Sequence, residues 1–178
     1  MQHLARAIVA VVFSVAVALL QTAQADTKTW AGSIDASWSN AGNWAGGVPS
    51  TGDRLSFFNA PGTRTSSNDL AAGIVYQDIS FLDSGYTLNG NGIGLSDGIS
   101  GFGSGNTINL PIQLQASQSF SAYLSLNGGI DLQSYTLTLG AYNNSVNIGG
   151  GISGSGGIII MRSYDTISGV NTYSGPTQ

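Results

Sequence analysis

Leu124-Ser125-Leu126-Asn127-Gly128-Gly129-Ile130 alternates apolar and polar residues, turns on Asn and Gly, and then places another aliphatic residue. The pattern returns as Val146-Asn147-Ile148-Gly149-Gly150-Gly151-Ile152. An earlier copy reads Ile93-Gly94-Leu95-Ser96-Asp97-Gly98-Ile99, so the closing isoleucines 99, 130 and 152 stand 31 and 22 residues apart. Alternation at period two sends one set of side chains inward and the other to solvent, which is the signature of a strand. Recurrence at roughly 20 to 50 residues marks a solenoid, each unit burying its apolar edge only against its neighbours. A longer echo relates the stretch from Tyr86-Thr87-Leu88 to Gly98-Ile99-Ser100-Gly101 with that from Tyr135-Thr136-Leu137 to Gly151-Ile152-Ser153-Gly154. The expected fold is therefore all-β, a parallel β-helix of about five or six turns at about 20 residues per turn. A β-sandwich or jelly roll with regular hairpins is the competing architecture. Short strands speak against it, as does the scarcity of Asn-Gly turns, seen only at Asn89-Gly90, Asn91-Gly92 and Asn127-Gly128.

The composition fits stacked strands and excludes several chemistries. Charged residues are 8% of the 178, far below the ordinary share of about 25%. All 26 glycines lie beyond residue 25, there is no cysteine, and every acidic side chain is an aspartate. The single histidine, His3, lies in the N-terminal segment. Without Cys the fold must hold without disulfides, and beyond the N-terminal segment there is no His or Cys to ligate a transition metal. No cofactor is expected. The positive charges Lys28, Arg54, Arg64 and Arg162 are scattered, so nothing draws nucleic acid.

The chain divides into a leader (1–25), a Trp-rich segment (26–60) and β-helix repeats (61–178). Met1 to Arg6 is basic, Ala7 to Leu20 is almost wholly apolar, and Ala23 and Ala25 form an Ala-x-Ala cleavage site before Asp26. Fourteen such residues fall short of the roughly 20 needed to cross a bilayer, so cleavage is favoured over anchoring. Trp30, Trp38 and Trp44 all fall in the second segment, among turns at Gly46-Gly47-Val48-Pro49 and Gly52-Asp53, and Leu55-Ser56-Phe57-Phe58 closes it as a strand. Pro61 to Asn68 has no apolar anchor and reads as a loop. Asn at recurring corners is expected to form side-chain ladders.

At the C-terminus the residues become specific. Gly151-Ile152-Ser153-Gly154-Ser155-Gly156-Gly157, followed by Thr166-Ile167-Ser168-Gly169-Val170-Asn171-Thr172-Tyr173-Ser174-Gly175-Pro176-Thr177, resembles the autotransporter-associated β-strand repeat. Asn171, Thr172, Tyr173, Gly175 and Thr177 are the family-motif residues. The opening, with Trp30, Trp38, Asn43-Trp44, Gly47-x-Pro49 and Gly52-Asp53, is similar to the leading segment of such passengers. The resemblance implies a right-handed parallel β-helix displayed at, or released from, the surface of a Gram-negative-type bacterial cell. Its partners would be host or neighbouring-cell surface glycans or proteins, and a β-barrel translocator encoded elsewhere. Met161-Arg162-Ser163-Tyr164-Asp165 departs from the family's Lys-x-Gly-x-Gly-Thr turn. The chain also stops at Gln178, where the family continues, so it reads as truncated.

Each candidate site has two readings. Exposed indoles at Trp30, Trp38 and Trp44 would stack on sugars, whereas buried ones would plug the open end of a helix, as solenoids require. Asp78, Asp83, Asp97 and Asp131 are the acid/base candidates for a β-helical polysaccharide hydrolase or lyase, which needs paired carboxylates. Each also sits beside a strand end or a glycine, where Asp is an ordinary turn residue. No His, Glu or basic cluster accompanies them, so a structural or adhesive role is expected, with no catalysis.

Overall fold

The computed structural model describes residues 25–140, 144–162 and 164–178. The leader, including Ala23, lies outside the described residues; Ala25 and Asp26 open them. The chain starts with β1 (Thr27–Trp30), a short β2 (Trp44–Ala45) and β3 (Arg54–Phe57). It then winds. β4 (Thr65–Asn68) leads into β5 (Val75–Phe81), and β6 (Thr87–Gly90) into β7 (Ile93–Gly101). The next turn is β8 (Asn106–Ile108), β9 (Ile112–Leu114) and β10 (Gln118–Ser121). It is followed by β11 (Leu124–Leu126), β12 (Ile130–Asp131) and β13 (Leu137–Leu139), then β14 (Val146–Ile148), β15 (Ile152–Ser153) and β16 (Ile158–Ile160). β17 (Thr166–Ile167) begins a further turn.

Every pairing between these strands is parallel except β1 with β2. The result is a parallel β-solenoid of about 5 turns. Its first face is the six-stranded sheet β4-β6-β8-β11-β14-β17. The second runs through the N-terminal parts of β5 and β7 to β9, β12 and β15; the third stacks β1, β3, the C-terminal parts of β5 and β7, β10, β13 and β16. A register shift between Tyr76 and Asp78 marks the bend between the second and third faces. Facing residues on the first face are Thr65, Thr87, Thr107, Ser125, Asn147 and Thr166.

The bore is filled as period two requires. Leu88, Ile108, Leu126 and Ile148 stack inward from the first face, and Ile93, Ile112, Ile130 and Ile152 from the second. Burying each such side chain contributes about 2 kcal/mol. The expected Asn ladder exists on the outside: Asn109 Nδ2 donates to Asn89 Oδ1 at 2.8 Å, and Asn127 Nδ2 to Asn109 Oδ1 at 3.0 Å. It stops at Gly149, the next position in register.

Two expectations need correction. The first repeat copy is out of phase: Ile93–Leu95 lies on the second face, whereas Leu124–Leu126 and Val146–Ile148 lie on the first. The Tyr86/Tyr135 echo likewise sets a first-face strand against a third-face strand. Alternation looks the same on every face, so only the 22-residue step is a true turn. Second, Thr65–Asn68 is a strand and not a loop. Its inward positions are the buried Ser66 and Asn68, so backbone pairing with Thr87–Gly90 holds it in place of aliphatic filling.

The N-terminal segment belongs to the same stack, since β1 and β3 continue the third face onto β5. Trp30, Trp38 and Trp44 are buried at that end. Trp44 meets Trp30 at 4.9 Å and Trp38 at 5.5 Å, both edge-on. The aromatic packing then runs inward through Phe57, Phe81 and Tyr86.

Candidate functional site

The four candidate aspartates do not converge. Asp83 sits at the corner after the third face, where its Oδ2 takes a 2.6 Å bond from Arg64. The Ser84 backbone N–H, then Arg64, hold its carboxyl below the ordinary value. Asp131 lies at the end of β12, lowered chiefly by the Gln133 backbone N–H. Only Asp78 and Asp97 are brought together, on the outer side of the third face. Partial burial raises the Asp78 carboxyl, the Arg54 guanidinium opposes that shift, and the Asp97 charge adds to it. Arg54 Nε stands 3.6 Å from Asp78 Oδ2 and donates to Gln77 Oε1 at 3.2 Å.

These two carboxylates border a groove of about 540 Å3 that is also lined by Gly98. In register, Gly98 lies between Asp78 and Ser119, so the outward column Arg54-Asp78-Gly98-Ser119 loses a side chain there. Glycine is required at this point. Its φ is +109°, and a Cβ would run into the Ser119 carbonyl oxygen of the next turn. Beside this column runs a hydroxyl column, Thr29-Ser56-Ser80-Ser100-Ser121, one residue per turn.

An exposed apolar column, which reaches the groove at Leu82, was not read from the motifs. Two residues beyond each serine of that column stand Phe58, Leu82, Phe102 and Tyr123, exposed by 53%, 46%, 83% and 40%. The signal was present as a recurring Ser-x-large-apolar triplet: Ser56-Phe57-Phe58, Ser80-Phe81-Leu82, Ser100-Gly101-Phe102 and Ser121-Ala122-Tyr123. A second hollow, lined by Phe102, Gly101 and Asn144, shares Leu82, Ser100, Ser119 and Ser121 with the first, so the two are continuous.

A separate apolar hollow follows the corner between the first and second faces, over the stacked small residues Gly92, Pro111, Gly129 and Gly151. It presents few polar side chains beyond Gln113 and Asp131.

The tryptophans give no ligand surface, because all three indoles are inside. Trp30 Nε1 donates to the Thr63 carbonyl at 2.8 Å and Trp44 Nε1 to the Trp38 carbonyl at 3.0 Å. The family-motif residues build the last turn. Asn171 Oδ1 accepts from Ile152 N at 3.2 Å while its Nδ2 donates to the Gly169 carbonyl, and Thr172 N donates to the Ile152 carbonyl. Tyr173 OH meets Thr177 Oγ1 at 2.6 Å, Thr177 bridges to Ile158, and Gly175 passes too close to Gly156 to carry a Cβ. Asp165, beyond the point where the sequence departs from the family pattern, accepts through Oδ1 from Val146 N at 2.8 Å.

Among the described residues no three His, Cys, Asp or Glu side chains gather to hold a metal ion, and no helix is long and apolar enough to cross a membrane. No family model, curated protein or solved structure matches the chain. The likeness to the autotransporter repeat thus rests on the residues quoted above.

Proposed function

We propose that this chain is an exported β-helix of autotransporter-passenger type, displayed at the bacterial surface in a structural or adhesive role and without catalytic activity. The observation that carries this reading is the agreement between motif and rung: Asn171 to Thr177, the family-like stretch, bonds along the preceding turn at Ile152 and Ile158. On this reading residues 1–25 are a signal peptide removed after Ala25. The buried tryptophans cap the N-terminal end of the bore, and the winding is right-handed, as parallel crossovers almost always are. Cell-surface glycans or proteins are the partners, and a β-barrel supplied from outside the chain serves as translocator.

Production in a Gram-negative cell from the complete coding sequence tests the proposal. The product should leave the cytoplasm with Asp26 as its first residue and be reachable by antibody on intact cells. Cytoplasmic material still beginning at Met1 contradicts it.

One observation favours a second reading, a β-helical polysaccharide hydrolase or lyase: Asp78 and Asp97 share a groove. Against it, Asp78 is engaged by Arg54 and, among the described residues, no further acid or base lines the groove. Asp78→Asn with Asp97→Asn abolishes turnover of a polysaccharide if that reading holds. A glycan-binding module using Trp30, Trp38 and Trp44 would need those rings at the surface, where they are not.

A further inference from the structure

We infer that the groove over Gly98, continued past Leu82 to Phe102 in the adjoining hollow, binds an uncharged glycan chain lying along the solenoid axis; this rests on the adhesive role proposed above and gives it a site. Three features of the surface point to that class of ligand.

The first is the pairing of an exposed aromatic ring, Phe102, with a hydroxyl-lined groove. Phe102 keeps 83% of its surface in water, although ring burial is strongly favourable. Sugar rings present an apolar C–H face and an equatorial belt of hydroxyls. An exposed aromatic ring meets the former, while Ser80, Ser100, Ser119 and the Asp78 and Asp97 carboxylates meet the latter. The second is periodicity. Both columns repeat once per turn, at about 4.8 Å, comparable to the length of one pyranose unit, so successive sugars meet equivalent partners. The third is charge. Arg54 against Asp78 and Asp97 leaves the groove with a small negative excess, and the whole chain carries −4. An acidic polymer is repelled and a neutral one is not. A protein partner fits less well, since serine is depleted at the centres of protein interfaces and here lines the groove.

The site also needs its glycine. Any larger residue at position 98 would fill the hollow in which a sugar ring rests, as well as strike the next turn.

The test is surface plasmon resonance on the immobilised full chain with cellohexaose, mannohexaose and chitohexaose, and with hexagalacturonate as the acidic counterpart. At least one neutral hexasaccharide should bind and hexagalacturonate should not. Phe102→Ala should weaken that binding at least tenfold with the circular dichroism spectrum unchanged, while Val170→Ala, equally exposed but outside the groove, leaves it intact. Absence of binding by all three neutral probes overturns the inference, as does binding indifferent to Phe102→Ala. So does sedimentation showing a dimer that Phe102→Ala dissociates, which would assign the ridge to a second copy of the chain. None of these results touches the export reading, which stands or falls on the N-terminus at Asp26.

Discussion

Gly150 illustrates what a single residue controls in a stacked fold. A Cβ there would fall on the Gly128 carbonyl oxygen one turn below, and one at Gly128 would fall on Leu110 in the same way. Because the obstacle is backbone, it cannot swing aside. Gly150→Ala should therefore destabilise by about 2–3 kcal/mol, within the range for overpacking, measured as a lowered midpoint in guanidinium unfolding. An unchanged midpoint would mean that the corner does not approach so closely. A second residue-scale effect concerns Asp53, which is buried and accepts from the Asp26 backbone N at 3.4 Å through Oδ1. In a chain made to begin at Asp26, that nitrogen becomes an α-ammonium beside a carboxylate that Lys28 approaches only to 3.9 Å. Such a chain should exceed its N-acetylated counterpart by about 1 kcal/mol, a modest value for a charged hydrogen bond. Attraction to the carboxylate raises the amine's folded pKa, so the advantage is full below its unfolded value of about 8 and disappears as pH rises past the folded one. Equal melting temperatures below that value would remove the pair from the account.

At the scale of elements, legibility followed the aliphatic residues. Leu124/Leu126/Ile130 and Val146/Ile148/Ile152 were readable as rungs because their inward positions carry the hydrophobic signal. Thr65–Asn68 was not, since its inward Ser66 and Asn68 carry none and its order comes from neighbouring backbone. The misphased Ile93 copy has a related cause: turns of unequal length (Thr87 to Thr107 to Ser125 to Asn147 in register) blur any fixed period. The groove was half legible. Asp78 and Asp97 are legible as candidates, but Phe58, Leu82, Phe102 and Tyr123 become an exposed column only once the turns are stacked. The Trp-rich segment depends on burial throughout, so Trp38→Ala should cost about 3–5 kcal/mol and be read in thermal or denaturant unfolding. A loss under 1 kcal/mol would indicate that the N-terminal indoles are dispensable to the stack.

For the whole molecule, the acid side of the stability profile is set mostly by aspartates at turns. Asp35 is held low first by the Ser37 backbone N–H and then by Asn40 and Asn43; Asp69, Asp83 and Asp131 are lowered too, and Asp78 is raised. A lowered carboxyl gives stability above its unfolded value that is lost as pH falls through the folded one, and a raised carboxyl does the reverse. The lowered group is larger, so melting temperature should decline as pH drops below about 4. Asp35→Asn should flatten that decline; a slope unaltered by the substitution places the acid sensitivity elsewhere.

The absence of native cysteine makes the central claim directly measurable with introduced pairs. Ser125 faces Thr107 on one side and Asn147 on the other, in parallel register on consecutive turns. Neighbouring strands at about 4.8 Å bring their Cα atoms within disulfide range. Thr107→Cys with Ser125→Cys, and separately Ser125→Cys with Asn147→Cys, should each oxidise readily in the folded protein to one intramolecular bridge. If both pairs stay reduced under oxidant while the chain remains folded, the turns do not stack in this register and the solenoid is wrong.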